Sequence, residues 1–441
     1  MTDHFRRAGW LPASDEHLHK WLKAAVDEVA VGKRKNGTFL PVVQDFVDFI
    51  ETNAEMYMGF HRMFEEQPPS SLLSMVPDYQ TMFKLFNKII QEAPPFGPVG
   101  PPIYMVINGA MNTQAGFTTF LDAELNSHFR KMFNTWAKFL DSPDSRYVLN
   151  TGEGGWFNSS ALSTLTEFYG GLTFEQIYVS DPSKPYWGYK SWDDYFVRLL
   201  RPGVRAVTSP ENQNLISAAC ESQLYNRATN VKAEDTFWLK GEPYSLLHML
   251  DYDELAPQFI GGTVFQGFLS VTSYHRWHAP VTGVVRKIVL VPGAYWVQSP
   301  ATLGEQNNPF LRSLSYITGL TTRMLIFIES DNPRIGMMVF IAIGMTEVST
   351  CEATVKEGQH VRRGDELGMF HFGGSSHALV FRPETKLQFF DNPSGSEFIY
   401  LNVAASIRPA DAYVMRIITQ DLEKIEAEMV NSASHRYRVA S

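Results

Sequence analysis

Apolar residues in the first part of the chain recur at the spacing that one face of a helix requires. The first stripe consists of Val43, Phe46, Val47 and Ile50. Its members stand at positions i, i+3, i+4 and i+7. A longer stripe of the same kind consists of Leu121, Leu125, Phe129, Met132, Phe133, Trp136, Phe139 and Leu140. Such stripes usually pack against a core, so they predict a helical N-terminal part.

Residues 94–106, between these stripes, have the sequence PPFGPVGPPIYMV. Prolines and glycines at this density predict irregular backbone. The segment is either a connector or the lining of a pocket, and its sequence does not distinguish the two.

The pattern changes near residue 186. Residues 284–293, 323–330 and 335–344 are short, rich in β-branched residues and bounded by glycine or proline, as β-strands are. Residues 353–376 alternate strand-like pieces with Glu-Gly and Arg-Gly-Asp turns, which favours a compact, barrel-like sandwich. The pattern therefore predicts an α+β chain with a helical domain over residues 1–185 and a β-rich domain over residues 186–441.

Composition narrows the class of protein. The chain has 441 residues, 44% of them apolar, and a formal net charge of −9. A chain with this share of apolar residues is typical of a folded, globular protein rather than a disordered one. Its net negative charge argues against nucleic acid or an anionic membrane as a partner. Cys220 and Cys351 cannot form a disulfide framework or a multi-cysteine zinc site. The start of the chain lacks the apolar run of a signal peptide. We therefore expect a soluble, cytoplasmic protein.

Three local clusters carry candidate chemistry. His275 and His278 lie three residues apart beside turn-forming residues, which suits either acid–base work or a structural role. No further ligand motif accompanies them, so we predict no metal site. Gly374-Ser375 lies in a GGSS sequence that is usually a flexible turn, but glycine before serine also leaves the peptide carbonyl open to attack. Glu221, in the third cluster, indicates little by itself.

Taken together, the clusters and their surroundings resemble the phosphatidylserine decarboxylase family of pyruvoyl enzymes. The blocks that carry the resemblance follow in collinear order at residues 191–205, 215–222, 239–250, 267–283, 291–300 and 357–376. GGSS matches a recognised variant of the family's Leu-Gly-Ser-Thr cleavage motif. The helical extension, through residues 93–117, resembles a soluble fungal branch of aromatic amino-acid decarboxylases built on the same core.

The resemblance implies a role for each matching residue. Self-cleavage between Gly374 and Ser375 would convert Ser375 into a covalent pyruvoyl group, which binds the substrate amine as a Schiff base. The two fragments would stay associated. His278 matches the histidine that assists self-cleavage, and His275 matches the one assigned to decarboxylation. Where the family has Asp-Gly the chain has Glu221-Ser222, so we expect Glu221 to orient His278.

The implied substrate is a small L-aromatic amino acid, with L-tryptophan first and phenylalanine or tyrosine next. The first alternative is phosphatidylserine, which would be converted to phosphatidylethanolamine at a membrane. A second is a non-catalytic module like the lipoyl and biotinyl carriers, although the turn sequence EGQHVRRGDELG has no modifiable lysine at its tip. A third is a degenerate enzyme that no longer matures. No signature of a pyridoxal phosphate site is present in the sequence, and association into homo-oligomers stays open.

Overall fold

A computed structural model describes residues 15–30, 38–67, 75–97, 100–235, 244–297, 299, 313–347, 350–389, 400–401 and 415–417. The predicted domain boundary near residue 186 stays a prediction, and residues 418–441 of the second domain lie outside the described residues. The α-helices are α1 (Asp15–Ala30), α2 (Pro41–Thr52), α3 (Ala54–Glu65), α4 (Tyr79–Ile89), α5 (Pro102–Met111), α6 (Gln114–Thr119), α7 (Ala123–Leu140), α8 (Ser159–Thr166), α9 (Phe174–Ile177), α10 (Trp192–Phe196), α11 (Leu246–Met249) and α12 (Leu314–Ile317). Short 3-10 helices span Pro143–Val148, Pro185–Gly188 and Ala256–Phe259.

Both predicted stripes form helices. The four residues of the first stripe are the buried residues of α2. The second stripe forms α7, which begins after Asp122 because that side chain accepts a hydrogen bond from the backbone N–H of Leu125 and caps the helix. Leu121 therefore lies outside the helix and is exposed. The helical prediction for this part of the chain is confirmed.

The prediction of irregular backbone over residues 94–106 was wrong for its second half. Helix α5 begins at Pro102, and eight of its ten residues are buried. Proline at the first position of a helix loses no hydrogen bond and has the required φ angle, so a proline pair can start a helix as well as interrupt one. Sequence reasoning treated Pro102 only as a helix breaker.

The strands are β1 (Leu215–Ile216), β2 (Ser222–Thr229), β3 (Thr263–Leu269), β4 (Arg276–His278), β5 (Gly283–Val291), β6 (Arg323–Ser330), β7 (Met337–Gly344), β8 (Cys351–Ala353), β9 (His360–Val361), β10 (Glu366–Phe370), β11 (Ser375–Phe381), β12 (Leu387–Phe389), β13 (Tyr400–Leu401) and β14 (Met415–Ile417). The three predicted apolar strands correspond to β5, β6 and β7. Strands occupy the second part of the chain and helices most of the first, so the predicted α+β class is confirmed.

The central element is an eight-stranded antiparallel sheet in the order β13-β2-β3-β11-β7-β6-β5-β9. Within the described residues this sheet is open rather than closed into a barrel, with β13 and β9 at its edges. A smaller sheet has the order β4-β10-β8, and β1, β14 and β12 form a third. Residues of the smaller sheet and of the large sheet share one apolar cluster, in agreement with the predicted sandwich-like fold.

The two faces of strand β11 contact different cores. Ala378 and Val380 belong to the large apolar cluster that also contains the N-terminal helices. Leu379 and Phe381 belong to a second cluster, formed with the smaller sheet. Because side chains alternate along a strand, Ser375 lies on the same face as Leu379, and Ser376 lies on the same face as Ala378. The helices and the large sheet therefore share one continuous core, with β11 at its centre.

Two further findings concern the sequence predictions. Cys220 and Cys351, which the sequence analysis did not expect to form a disulfide framework, are free cysteines and are buried. Among the helices of the described ranges, none is both long and apolar enough to cross a bilayer.

Candidate functional site

The Gly-Ser pair of the predicted cleavage site lies at the start of the central strand. Ser375 is the first residue of β11 and pairs with Leu269 on β3 and with Gly344 on β7. Its side chain is fully buried, and its Oγ has no hydrogen-bond partner among the described residues. Since buried hydroxyls are almost always hydrogen-bonded, this free hydroxyl calls for a functional explanation.

Gly374 is held on both sides of its peptide unit by the segment that follows β7. Its N–H donates to Thr346 Oγ1 at 2.8 Å, and its carbonyl oxygen accepts from the backbone N–H of Met345 at 3.0 Å. A Cβ atom at Gly374 would lie only 2.8 Å from Thr346 Oγ1. The close approach explains why position 374 requires a residue without a Cβ atom. The Met345 N–H is placed to stabilise negative charge that develops on the Gly374 oxygen.

The neighbouring hydroxyl, Ser376 Oγ, is fully engaged by contrast. It donates to the carbonyl of Gly267 at 2.9 Å and accepts from Gln266 Nε2 at 2.9 Å. Gln266 also donates to Thr318 Oγ1 and accepts from the Tyr244 hydroxyl. Ser376 thus belongs to a structural polar network, and Ser375 carries the available hydroxyl.

His275 is fully buried beside the cleavage loop, which consists of residues 371–374 between β10 and β11. Its ring stacks on Phe196 with centroids 4.1 Å apart, and Phe196 in turn contacts Phe372, two residues before Gly374. Neither ring nitrogen has a hydrogen-bond partner in the described part of the chain. Burial, with a smaller contribution from the positive charge of Arg198, holds the pKa of His275 well below its usual range. The imidazole is therefore neutral at pH 7.

His278 has a defined tautomer. Its Nδ1 lies 2.8 Å from the carbonyl oxygen of Gly364, and its Nε2 lies 3.0 Å from the Tyr274 hydroxyl. A carbonyl can only accept, so Nδ1 carries the proton and Nε2 accepts from Tyr274. Burial lowers the pKa of His278. Its Nε2 is thus a neutral base connected to a phenolic hydroxyl.

Glu221 forms a buried ion pair with Arg205. Arg205 Nε lies 2.6 Å from Glu221 Oε1, and Arg205 Nη2 lies 3.4 Å from Oε2. The guanidinium also stacks on the Tyr169 ring, 4.0 Å from its centroid. The hydrogen bonds of His278 described above go to Tyr274 and Gly364, and the orienting role of Glu221 toward His278 stays a prediction.

Sequence reasoning missed several residues around the cleavage loop. His371 lies between two carboxylates, with Nδ1 2.9 Å from Asp193 Oδ2 and Nε2 2.9 Å from Glu352 Oε2. Burial alone would lower the pKa of His371, but the hydrogen bonds and charges of Asp193 and Glu352 raise it to about 9. His377 is fully buried, and burial lowers its pKa to about 3. The sequence signal that could have found His377 is its position two residues after Ser375, which places both side chains on the same face of one strand.

The site's residues fit a pyruvoyl group made from the chain itself. Such a group requires a serine hydroxyl free to attack the preceding carbonyl, a glycine that does not obstruct it and a dry environment. Ser375 and Gly374 meet all three requirements, since the hydroxyl has no partner among the residues that the structure describes and both residues are buried.

Comparison with known proteins identifies the family of the chain. Two family models, both described as phosphatidylserine decarboxylase, match residues 40–165 and residues 192–398. Two proteins named L-tryptophan decarboxylase are similar over nearly the whole chain. The one from Psilocybe cubensis is 43% identical over 88% of this chain and 91% of its own, and the one from Psilocybe cyanescens is 44% identical over 92% and 95%. The chain belongs to the phosphatidylserine decarboxylase family. It is a decarboxylase, that is, a carboxy-lyase.

The lipid-named members match a smaller part of the chain. Phosphatidylserine decarboxylase proenzyme 3 of Schizosaccharomyces pombe is 31% identical over 48% of this chain and 21% of its own length. Because the Psilocybe proteins match 88% and 92% of this chain, their likeness includes most of the helical part.

Proposed function

We propose that the protein decarboxylates an L-aromatic amino acid to the arylalkylamine and CO2, with L-tryptophan as the first-choice substrate and phenylalanine and tyrosine next. The reaction uses a pyruvoyl group that the chain forms from Ser375 by self-cleavage after Gly374, and it takes place in the cytoplasm. The observation that carries the proposal is the buried Ser375 hydroxyl, which has no hydrogen-bond partner within the described ranges and lies beside a glycine carbonyl that already accepts a backbone N–H. The likeness to the two Psilocybe proteins supports the choice of substrate.

In self-cleavage, the Ser375 Oγ attacks the carbonyl carbon of Gly374, the C–N bond between the two residues breaks, and the proton from Oγ passes to the released nitrogen. The ester formed in this way undergoes elimination, which frees the Gly374 carboxylate. The dehydroalanine left at position 375 is hydrolysed by water to the pyruvoyl group and ammonia. The N–H of Met345 stabilises the oxygen that becomes negative, and Thr346 holds the amide on the other side. His278 acts as the base, since its Nε2 is the unprotonated nitrogen, and the Tyr274 hydroxyl on that nitrogen can relay a proton.

The Arg205–Glu221 pair fixes the start of β2 near this base. Glu221 has a further, indirect connection with His278: its charge is among the smaller influences that raise the pKa of Tyr274, after burial as the main cause. We assign Glu221 the role of orienting His278 through this environment.

A pyruvoyl group at position 375 would supply the electron sink for turnover, because its carbonyl would hold the substrate amine while CO2 is lost. The surrounding aromatic side chains exclude water: Phe372 contacts Trp192 at 4.6 Å and Trp136 at 5.3 Å between ring centroids. An apolar site favours the loss of the charged carboxylate as neutral CO2. His275, neutral and desolvated, faces this same aromatic cluster through Phe196 and acts in the decarboxylation step.

The two fragments remain associated after cleavage. Strand β11 would begin the small fragment, and its seven residues pair with β3 on one side and β7 on the other, both of which belong to the large fragment. Separation would expose the centre of the sheet, so we expect both fragments to copurify.

Denaturing mass spectrometry of freshly made protein tests the maturation. We expect fragments of residues 1–374 and 375–441, the second with a blocked N-terminus. Ser375→Ala should abolish cleavage and activity, whereas Ser376→Ala should still cleave. A wild-type chain that stays intact under native conditions contradicts the cofactor proposal.

Two further variants separate the roles of the histidines. His275→Ala should lose activity while cleavage persists, and His278→Ala should impair cleavage. The reverse result would mean that the two roles are exchanged.

The substrate is tested by incubating the matured protein with L-tryptophan, L-phenylalanine, L-tyrosine or phosphatidylserine vesicles and quantifying the amine formed. We expect amine from the aromatic amino acids, with L-tryptophan fastest. Conversion of phosphatidylserine alone would replace this proposal by the lipid reaction, and a cleaved protein that converts none of them would favour a binding module.

A further inference from the structure

Glu347 lies one residue beyond the contact that holds the cleavage site. Thr346 accepts the N–H of Gly374, and Glu347 follows it, with consecutive Cα atoms about 3.8 Å apart. The Glu347 side chain is fully buried. Its backbone has a φ of 58°, a left-handed conformation that is unfavourable for a residue with a side chain. Strain of this kind collects at functional sites.

The two oxygens of the Glu347 carboxyl have different surroundings. Oε1 accepts the backbone N–H of Tyr104 at 2.9 Å, in the first turn of α5. Oε2 has no hydrogen-bond partner among the described residues. The contact with the first turn of α5 therefore needs one carboxyl oxygen only. The other oxygen is a buried polar atom without a hydrogen-bond partner among the described residues, which costs folding free energy.

The carboxyl is protonated at neutral pH. Burial raises the pKa of Glu347 to about 8, and the backbone amides of Tyr104 and Ile103 offset part of that rise. Tyr104 is also the titratable residue of α5, the helix whose first turn contacts Glu347. Because Oε1 accepts an N–H, the proton resides on Oε2. The site thus contains a buried O–H donor without an acceptor, a short distance along the chain from the residue that contacts Gly374.

Three buried or half-buried histidines around the cleavage site do not offer an acidic proton that is free to transfer. The low pKa of His275 leaves it neutral, and His377 is neutral for the same reason of burial. His371 is charged, but both of its ring nitrogens are bound to carboxylates. Unlike these histidines, Glu347 combines an acid proton at pH 7 with an oxygen that has no hydrogen-bond partner in the described part of the chain.

We propose that Glu347 Oε2 supplies the proton that the substrate's α-carbon takes up when CO2 leaves, an inference that rests on the function proposed above. The bond from the α-carbon to the carboxylate breaks, the Oε2–H bond breaks, and a C–H bond forms. The resulting carboxylate regains a proton from water, so each turnover consumes one proton from solvent. His275 orients the reacting group, and Glu347 provides the proton itself.

The assignment gives the helical part of the chain a direct role in the reaction. Helix α5 belongs to that part, and its Tyr104 stacks on Trp296, which contacts Phe129 and Phe133 of α7. The amide of Tyr104 binds Oε1 and thereby fixes the carboxyl. The helices therefore hold the acid in place against the sheet that carries Ser375.

The test compares Glu347→Gln with the wild type. Glutamine retains an oxygen that can accept the Tyr104 N–H, but it has no proton to transfer. We expect complete self-cleavage and a fall in amine formation of about 100-fold or more, the usual contribution of a general acid. A purely structural cap predicts equal rates for Gln and Glu. The matched control is Glu329→Gln, at an exposed carboxylate paired with Arg286, which should leave the rate unchanged.

Infrared spectroscopy supplies a readout that does not depend on turnover. The wild type should show the C=O stretching band of a protonated carboxylic acid, which disappears as pH rises through about 8 and is missing in Glu347→Gln. Amine formation by the wild type should fall over the same pH range, because the acid form is required. Glu347→Asp, which keeps the proton on a shorter side chain, should recover part of the rate.

Each result bears on one hypothesis. A Glu347→Gln protein that forms amine at the wild-type rate, or a wild type without the protonated carboxyl band, overturns the assignment of Glu347 while leaving the proposed function intact. If the variant does not fold, a wild-type rate that stays constant as pH rises through about 8 overturns it equally. Absence of cleavage in the wild type overturns the proposed function itself.

Discussion

Removing the charge of Glu221 should destabilise the protein through the partner it leaves behind. The ion pair with Arg205 is fully desolvated, with relative exposures of 3% for the arginine and 0% for the glutamate side chain. Glu221→Gln keeps the shape of the side chain but leaves the guanidinium charge buried without its counter-ion. Breaking a buried pair in this way costs about 3–5 kcal/mol. The stacking of Arg205 on Tyr169 is present in both proteins and cancels in the difference, so we expect a loss of about 3–5 kcal/mol.

Urea unfolding followed by tryptophan fluorescence measures this loss, in a Ser375→Ala background that keeps the chain whole. The control is the double variant Arg205→Met with Glu221→Leu, which removes both charges and should lie within about 1 kcal/mol of the parent. A Glu221→Gln protein that loses less than about 1 kcal/mol, the range of an exposed pair, would refute the reasoning. In the cleavable background, slower cleavage by a folded Glu221→Gln protein is expected if Glu221 orients His278.

Three further predictions concern the cleavage loop and its strand. Because the pKa of His371 is raised from 6.5 to about 9, its ion pairs should contribute stability that is complete below pH 6.5 and lost as pH rises through about 9; His371→Gln should remove this dependence in thermal unfolding, and an unchanged pH dependence would contradict it. Gly374→Ala should slow self-cleavage about tenfold or more, since its Cβ would lie 2.8 Å from Thr346 Oγ1; mass spectrometry of the intact chain over time measures the rate, and an unchanged rate would show that the contact is not limiting. Gln266→Leu should destabilise the Ser375→Ala chain by about 2 kcal/mol in urea, because it leaves the hydroxyl of Ser376 without a donor inside the sheet, and no change would mean that this network is dispensable.

The elements that sequence predicted well are those with a regular period. Helix α2 buries the four residues of its stripe, and strand β6 spans the predicted residues 323–330. The failures occurred where one residue type suits two structures. Proline disfavours the interior of a helix but favours its first position, so Pro102 started α5 where a connector was expected. Whether a sheet closes depends on the pairing of distant strands, which the period of a single strand does not record.

The candidate site divides in the same way. The motif order in the sequence placed the chain in its family, and the resemblance predicted Gly374-Ser375 and the histidines as the site. The GGSS sequence itself contains no physical reason to prefer the hydroxyl of Ser375 over that of Ser376. The structure distinguishes them because Ser376 meets Gln266 and Gly267 of the neighbouring strand, whereas the Oγ of Ser375 has no partner among the described residues.

By itself, the sequence determined the α+β class, the family, the position of the Gly-Ser pair and the location of most helices and strands, because local periodicity and motif order are written along the chain. The tertiary structure decided which groups are charged, buried or free. The pairing of Glu221 with Arg205, and the neutral Glu347 against the start of α5, join residues 16 and 243 positions apart. Ionisation and hydrogen bonding depend on desolvation and on neighbours in space, and only the folded chain brings those neighbours together.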